Sequence, residues 1–290
     1  MSGSVADVAG RWIRARTKQI PLGTRPVVMG VLNVTPDSFS DGGRFLDPQH
    51  AIDQAQKMIA AGADMIDVGA ESTRPGSTCV DAEEELRRLR PVLRILGKQC
   101  PVTISVDTRK AEVARRALDW GAHIINDISA LRFDADMGKV VAEAQAGIVL
   151  MHMQGDPETM QNYCQYDNVV EDVKRFLQDR IEAAESYGIQ REQILVDPGI
   201  GFAKTRDQNL RLLRELTSLH SLGQPVLVGV SRKSFIGVVL NRPVAERTMG
   251  TAAAVAAAVL HGAHVVRVHD VERMHDVVTM ATAIKHVQCN

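Results

Sequence analysis

The sequence predicts an α/β protein with one main domain, a (β/α)8 TIM barrel, preceded by a short N-terminal extended element. Three observations lead to this prediction. Eight short apolar runs alternate with segments of helical periodicity, the 290 residues contain no linker-like or low-complexity tract, and polar residues collect at the carboxyl ends of the apolar runs. A closed parallel barrel fits this alternation and length better than an open sheet does.

The elements follow from period and length. Residues 1–25 predict a frayed start and a short extended element, and residues 26–290 predict the barrel domain. The apolar runs are too short for helices and predict buried strands at 26–32, 64–68, 102–107, 123–127, 147–152, 193–197, 225–230 and 264–268. Helices are predicted at 48–61, 81–97, 109–120, 168–187, 206–219, 245–261 and 270–287, with a shorter one near 134–145. Left-handed C-caps are predicted at Gly62, Gly121, Gly188 and Gly262.

Composition narrows the class of partner. The net charge is -1 and the pI is near 6.8, so no electrostatic footprint for nucleic acid or an anionic membrane is present. No apolar stretch is long enough for a membrane span, and the first twenty residues lack the apolar region of a secretory signal. The four cysteines are scattered without a C-x-x-C pair, which is typical of reduced thiols in a cytoplasmic protein.

The main functional signal is the placement of polar side chains. Strand interiors are apolar, whereas nearly every strand end carries a polar or ionisable group. In a parallel barrel these ends meet at one rim, where binding and catalytic residues are found. The residues at the strand ends are Asn33, Asp67, Gly69, Asp107, Asn126, Asp127, Met151, His152, Asp197, Ser231, Arg232, Lys233, Arg267 and His269.

Each of these residues taken alone has a structural explanation. A single Asp after a strand is more often a helix cap, as Asp107 before Thr108 would be, and His152 and His269 taken alone are more often hydrogen-bonded structural histidines than metal ligands. The set as a whole favours a ligand site, because so many polar groups at one rim do not serve packing.

The residue types divide into two chemistries. Carboxylate, carboxamide and ammonium groups are suited to the edge of a flat, nitrogen-rich heterocycle, and they occur at Asp107, Asn126, Asp197 and Lys233. Cationic and carboxamide groups suit phosphate oxygens, or a magnesium ion that bridges them, and they occur at Arg74, Arg267, His269 and Asn33. The predicted ligand is therefore a heteroaromatic group joined to a phosphate.

Several common motifs are incomplete. Residues 199–204 (GIGFAK) have Lys204 where a dinucleotide-binding loop has its third glycine, and Ala203 replaces the glycine that precedes the lysine of a P-loop. Residues 229–233 (GVSRK) lack the closing glycine of a nucleophile elbow, which disfavours a serine hydrolase.

Seven motifs in order resemble those of the dihydropteroate synthases. The resemblance covers residues 25–287. The motifs are 29–43 (MGVLNVTPDSFSDGG), 67–76 (DVGAESTRPG), 105–108 (SVDT), 125–128 (INDI), 197–202 (DPGIGF), 231–234 (SRKS) and 267–269 (RVH). Ala203 departs mildly from the family pattern, since many members have glycine there, and we expect no functional consequence.

The resemblance implies a role for each motif residue. Asn33 would be the Mg²⁺ ligand, and the implied catalytic residues are Asp107, Lys233, Arg267, His269 and Asn33. The implied pterin diphosphate contacts are Thr73, Asp107, Asn126, Ile128, Met151, Asp197, Phe202, Lys233, Arg267 and His269. The implied p-aminobenzoate pocket consists of Phe39, Thr73, Arg74, Pro75, Gly201, Lys233 and Ser234, with Ser231 nearby.

The implied reaction joins 6-hydroxymethyl-7,8-dihydropterin diphosphate to p-aminobenzoate in folate biosynthesis. Diphosphate would leave first, with Mg²⁺ as cofactor, and the amine would attack a pterin-methylene cation that Asp107 stabilises. The rivals are a pterin-binding methyltransferase, which has no use for Asn33, Arg267 and His269 as diphosphate anchors, and a paralogue that binds pterin without catalysis. The resemblance also implies a homodimer, in which the Ala-rich stretch at 251–259 would contact a partner copy.

Overall fold

The computed structural model describes residues 12–35, 48–72, 77 and 79–287. Ten strands and nine α-helices lie within this part of the chain. The strands are β1 (Trp12–Ala15), β2 (Lys18–Pro21), β3 (Val27–Asn33), β4 (Met65–Gly69), β5 (Thr103–Asp107), β6 (Ile124–Asp127), β7 (Gly147–Met151), β8 (Ile194–Asp197), β9 (Leu227–Gly229) and β10 (Val265–Val268). The helices are α1 (Pro48–Ala60), α2 (Ala82–Gln99), α3 (Ala111–Asp119), α4 (Met137–Glu143), α5 (Val169–Ser186), α6 (Arg206–Arg214), α7 (Ser234–Leu240), α8 (Thr248–Leu260) and α9 (Val271–His286).

The predicted barrel is confirmed. Strands β3 to β10 form one parallel sheet of eight strands in the order β8-β7-β6-β5-β4-β3-β10-β9. A single parallel bridge between Val196 and Val226 joins β8 to β9, so the barrel is nearly closed and this seam is its weakest pairing. Apolar side chains between the strands and the surrounding helices form the larger core.

The N-terminal extended element is an antiparallel hairpin of β1 and β2. Its Ile13, Ala15 and Ile20 are buried in a second apolar cluster with inward-facing side chains from the amino-terminal halves of the barrel strands, among them Met29 and Val149. The hairpin therefore closes the end of the barrel that lies opposite the strand carboxyl ends. Residues 1–11, where the frayed start is predicted, lie outside the described part.

Local signals set the helix boundaries. The side chain of Asp81 accepts a hydrogen bond from the backbone N–H of Glu84 at 2.8 Å and begins α2, and Thr205 with Gln208 forms a capping box at the start of α6. The predicted C-caps are confirmed, since all four glycines have φ between 90° and 104°.

Two predicted elements differ from the structure. The helix predicted over 206–219 ends at Arg214, and a 3-10 helix at Leu216–Leu222 follows it. Helix α7 is absent from the sequence predictions, because Ser234–Leu240 is short and its last three residues are exposed and apolar, which hides the helical period. Within the described part, no helix has the length and apolarity needed to span a membrane.

Candidate active site

Four consecutive strands place their last inward-facing residues side by side at the rim. The register pairs Asn33 with Gly69, Gly69 with Asp107, and Asp107 with Asn126. A β-carbon built on Gly69 would lie 3.9 Å from Asn33 Oδ1 and 4.0 Å from Asp107 Oδ2. The missing side chain of Gly69 thus leaves open space between a carboxamide oxygen and a carboxylate.

Arg267 links this row to β10. Its Nη2 donates to Asp107 Oδ2 at 2.9 Å, and its Nε donates to Asp67 Oδ2 at 2.6 Å. The α3 helix begins after Lys110 and uses no side-chain cap, so the cap explanation for Asp107 is wrong. By contrast, Asp127 accepts hydrogen bonds from Ser129 and Leu131 and does serve the loop that follows β6.

Asp67 is the residue that sequence reasoning noted at a strand end and gave no role in the site. It is completely buried, and its Oδ2 also accepts a hydrogen bond from Asn126 Nδ2 at 3.1 Å. One carboxylate therefore holds both Arg267 and Asn126 from below the rim. The signal was present in the sequence, because Asp67 stands two residues before Gly69 in an otherwise apolar strand and so faces the same side of the sheet.

The other half of the rim comes from the loops after β8 and β9. Asp197 Oδ1 accepts a hydrogen bond from the backbone N–H of Gly199 at 2.7 Å. Lys233 donates to the carbonyl oxygen of Ile200, and its Nζ lies 4.3 Å from the centre of the Phe202 ring. Phe202 belongs to an apolar cluster with Ile128, Met151, Met153, Met160 and Ala203.

Gly229 connects the two halves. A β-carbon built on this residue would lie 3.9 Å from Lys233 Nζ and 3.9 Å from Arg267 Cβ. The residues that contact Arg267 and those that contact Lys233 therefore line the same opening of the barrel. Asn33 and Asp197 lie at this one end.

The remaining predicted residues lie at the edge of this mouth. His269 Nδ1 is 3.0 Å from Ser231 Oγ. Ser234 is exposed at the first turn of α7, and a β-carbon on Gly201 would meet Lys233 Cδ at 2.7 Å, so Gly201 packs directly against that lysine. The predictions for Phe39, Thr73, Arg74 and Pro75 fall outside the described residues.

Burial shifts the ionisation of three of these groups. It raises the pKa of Asp107 to about 7, although Arg267 opposes the shift, and it lowers the pKa of Lys233 to about 8, opposed by Asp197. Burial likewise raises the pKa of Asp197, against the effect of Lys233. Groups that titrate near neutral pH within one cleft are typical of a catalytic site.

Asn33 fits the role of a magnesium ligand. Mg²⁺ keeps several waters and binds through one or two protein oxygens together with substrate phosphates. Asn33 presents a carboxamide oxygen over the space left by Gly69. No cluster of three or more His, Cys, Asp or Glu side chains suited to a metal occurs within the described residues.

Comparison with known proteins gives the family. The model for pterin binding enzymes matches residues 29–269. A dihydropteroate synthase from Synechocystis is 48% identical over 263 residues, which cover 90% of this chain and 91% of that protein. The chain belongs to the dihydropteroate synthases.

Solved structures of dihydropteroate synthases share the fold. The enzyme from Yersinia pestis, in complex with a sulfonamide drug, has a TM-score of 0.90 and 42% identity, covering 95% of this chain and 100% of that one. The enzyme from Xanthomonas albilineans, with 4-aminobenzoic acid, has a TM-score of 0.90 and 43% identity, covering 97% and 100%.

The family resemblance predicted from the motifs is thus confirmed. As a dihydropteroate synthase, the chain is a transferase of folate biosynthesis. It condenses 6-hydroxymethyl-7,8-dihydropterin diphosphate with p-aminobenzoate to give 7,8-dihydropteroate and diphosphate. The relatives favour the synthase over the methyltransferase rival.

Proposed function

We propose that the rim formed by β3 to β6 and β8 to β10 is where this dihydropteroate synthase carries out its reaction. The observation that carries the proposal is the position of Arg267. Its guanidinium donates to Asp67 and Asp107, and a β-carbon built on Gly229 would lie 3.9 Å from both Arg267 Cβ and Lys233 Nζ. The Arg267 cation therefore lies between the groups suited to bind a heterocycle and the groups suited to bind an anion.

The pterin end of the site is the half that contains Asp197. Its carboxylate and the Asn126 carboxamide offer acceptors and donors for the amino-pyrimidine edge, and the Lys233 ammonium adds a donor. The Ile128, Met151 and Phe202 side chains form an apolar cluster at the same mouth. A flat ring lying on that cluster gains dispersion and hydrophobic energy, which polar contacts alone do not provide.

The diphosphate end is the half that contains Arg267, His269 and Asn33. A fixed guanidinium beside the strand ends suits phosphate oxygens, and Arg binds them with directional N–H groups. When bound through Asn33, Mg²⁺ would neutralise negative charge on the diphosphate oxygens. Asp67 holds Arg267 in place, so the cation needs no reorientation when the leaving group departs.

Asp107 is proposed to stabilise the pterin-methylene cation that forms when diphosphate leaves. The C–O bond to the diphosphate breaks with its electron pair on oxygen, and the p-aminobenzoate amine then forms the C–N bond and loses a proton. A buried carboxylate near the developing positive charge stabilises that charge strongly, because water does not screen it. No covalent nucleophile is needed.

The p-aminobenzoate pocket is proposed where Gly201, Lys233 and Ser234 meet. The amine has to reach the methylene carbon from outside the half of the site that holds the diphosphate, and this part of the rim lies beside the apolar cluster of Phe202. The Xanthomonas enzyme was solved with 4-aminobenzoic acid, and this compound is a substrate of the reaction. Phe39, Thr73, Arg74 and Pro75 complete the proposed pocket.

The test is release of pyrophosphate that depends on both substrates. The protein should release it only when pterin diphosphate and p-aminobenzoate are both present. Asp107→Asn should lower turnover by roughly 10²- to 10³-fold while the thermal unfolding profile stays that of a folded protein. Turnover near the normal rate in Asp107→Asn would remove its proposed role, and release without p-aminobenzoate would indicate hydrolysis instead.

The proposal extends to assembly and location. Exposed apolar side chains lie on α7, α8 and α9, namely Val238, Val239, Leu240, Met249, Leu260, Met280 and Ile284. Gly250 packs against Leu240, which makes the α7 and α8 side chains neighbours. This surface would be covered in a homodimer. A cytoplasmic location agrees with the free thiols of Cys79, Cys100 and Cys164.

A further inference from the structure

Lys204 is a buried lysine that the reaction described above does not use. Only 4% of its surface is exposed. Its Nζ lies 2.9 Å from His152 Nδ1, and it donates to the carbonyl oxygens of Gly199 at 3.0 Å and Phe202 at 2.9 Å. An ammonium has three N–H donors, and three acceptors surround this one. Every hydrogen bond that the ammonium can donate is therefore directed either at the loop after β8 or at His152, which directly follows β7.

His152 acts as the acceptor in this contact. Burial, reinforced by the charge of Lys204, lowers the pKa of His152 well below its usual value, which favours the neutral ring. Nδ1 is then the acceptor toward Lys204, because an ammonium has only donors. The Phe176 ring meets it edge to face with centroids 4.8 Å apart. Packing against Phe176 thus orients the His152 ring independently of its contact with Lys204.

The loop held by Lys204 has an unusual backbone. Gly199, Gly201 and Ala203 have φ of 68°, 86° and 49°, values in the left-handed region that residues other than glycine rarely adopt. A β-carbon on Gly199 would approach the carbonyl oxygen of His152 to 1.9 Å. Such a backbone needs stabilising contacts. The Lys204 ammonium, at the end of the loop, donates to two of its carbonyls, and His152 holds that ammonium from outside the loop.

The same loop supplies the contacts of two site residues. The N–H of Gly199 donates to Asp197, and the carbonyl of Ile200 accepts from Lys233. The Gly199 and Phe202 carbonyls turn to Lys204, whereas the Ile200 carbonyl between them turns to Lys233. Left-handed residues alternate with others along this loop. The Gly199 and Phe202 carbonyls therefore point toward Lys204, and the Ile200 carbonyl points toward Lys233.

We infer that Lys204, with His152 as its acceptor, is a positioning residue that sets Asp197 and Lys233 for the pterin ring. This inference rests on the proposed role of Lys233 in pterin binding. Burial lowers the pKa of Lys204 to about 7, although Asp197 opposes the shift, so a charged group is unfavourable here, and a methionine of similar size would fill the same space without that penalty. The buried charge is therefore explained if the loop conformation that it stabilises is required for binding.

The experiment measures the affinity of a 6-hydroxymethyl pterin without diphosphate, by titration calorimetry on the full chain. Lys204→Met keeps an unbranched side chain that is one heavy atom shorter and removes all three hydrogen bonds. We expect it to weaken pterin binding at least tenfold. Lys233→Met should weaken binding too, and the loss in the double variant should be smaller than the sum of the two single losses, because part of the effect of Lys204 passes through Lys233.

A second pair of variants avoids dependence on the folding of Lys204→Met. His152→Asn places a carboxamide oxygen near the position of Nδ1, whereas His152→Phe keeps a ring and removes the acceptor. We expect His152→Asn to recover most of the affinity that His152→Phe loses. A general packing role would give the opposite order, because phenylalanine fills the space better than asparagine.

The outcomes separate the inference from the proposed site. If Lys233→Met weakens binding while Lys204→Met and His152→Phe leave it unchanged, the positioning role is wrong and the site stands. Additive losses in the double variant would also overturn the positioning role. If Lys233→Met leaves pterin affinity unchanged, the proposed pterin site itself fails.

Discussion

Arg267 and Asp67 are separated by 200 residues in the chain and joined by a 2.6 Å hydrogen bond beneath the rim. The carboxylate is completely buried, and 20% of the arginine side chain is exposed. Its second oxygen, Oδ1, has no hydrogen-bond partner among the residues that the structure describes. Asp67 thus holds the Arg267 guanidinium in place from beneath the rim, without itself needing to contact the substrate.

Replacing Asp67 should destabilise the fold as well as the site. Asp67→Asn leaves the guanidinium with one carboxylate in place of two, and removal of one partner from a buried ion pair costs roughly 3–5 kcal/mol. Denaturant unfolding measures this loss. The exposed pair of Arg242 and Glu246 is the control, because Glu246→Gln should cost less than about 1 kcal/mol. Equal small losses in both variants would show that the Asp67 pair carries no structural energy.

Arg267→Ala should weaken binding of the pterin diphosphate more than binding of a pterin without diphosphate. Hydrogen bonds to charged groups contribute about 1.5–3 kcal/mol each, which corresponds to roughly tenfold to hundredfold in affinity. Calorimetry of both ligands on the same variant removes general effects of the substitution. An equal loss for the two ligands would indicate that another cation holds the diphosphate.

Turnover should fall at acid pH through Asp107. Burial raises the pKa of this carboxyl to about 7, and only its ionised form stabilises a cation, so activity is present above that value and lost as the pH falls through it. The measurement is kcat from about pH 5 to pH 9, with unfolding monitored over the same range. Asp107→Asn should give a low rate without this acid limb. A limb near the pKa of an ordinary aspartate would contradict the prediction.

The folded-state pKa of Asp107 also predicts the sign of its effect on stability. The value is raised above that of the unfolded chain, so the folded state binds the proton more tightly. The contribution of this residue to stability is therefore largest below the unfolded pKa and declines as the pH rises toward about 7. Other carboxyl groups add their own dependence, so the comparison is between wild type and Asp107→Asn across that window.

Gly97 should tolerate no side chain although it lies within a helix. Alanine has the higher helix propensity by about 1 kcal/mol, but a β-carbon here would lie 1.9 Å from the carbonyl oxygen of Trp120. The α2 and α3 helices would have to separate, and overpacking of this kind costs roughly 1–3 kcal/mol or more. Gly23→Ala is the control, since nothing lies within 4 Å of its added carbon. A gain in stability for Gly97→Ala would contradict the close approach of the helices.

The exposed apolar surface on α7 to α9 predicts the assembly state. Wild type should sediment as a dimer, and Met249→Glu combined with Met280→Glu should give a folded monomer, because both methionines are mostly exposed in one chain. Trp12→Glu, which changes an exposed residue of the N-terminal hairpin, should leave the dimer intact. Monomeric wild type would exclude the dimer, and a dimer in the double variant would place the interface elsewhere.

The order of strands and helices was predictable because each element has a sequence signal within its own segment. Short β-branched runs, periodic apolar positions and glycine C-caps are all properties of neighbouring residues. Helix α7 was missed because its buried Phe235 and Ile236 are followed by exposed apolar residues, so the short segment shows no helical period. The hairpin of β1 and β2 was predicted only as an extended segment, because its position beneath the barrel depends on Met29 and Val149, which lie far away in the chain.

The sequence by itself determined the chemical types of the site, the motifs of the family and the rim on which the polar residues stand. Only the tertiary structure decided which of those residues touch. The two carboxylates on Arg267, the hydrogen bond from Asn126 to Asp67, and the contacts of Lys204 with His152 and of Lys233 with Ile200 join distant parts of the chain. Barrel closure creates them, because the register of each strand pair sets which side chains share a level at the rim.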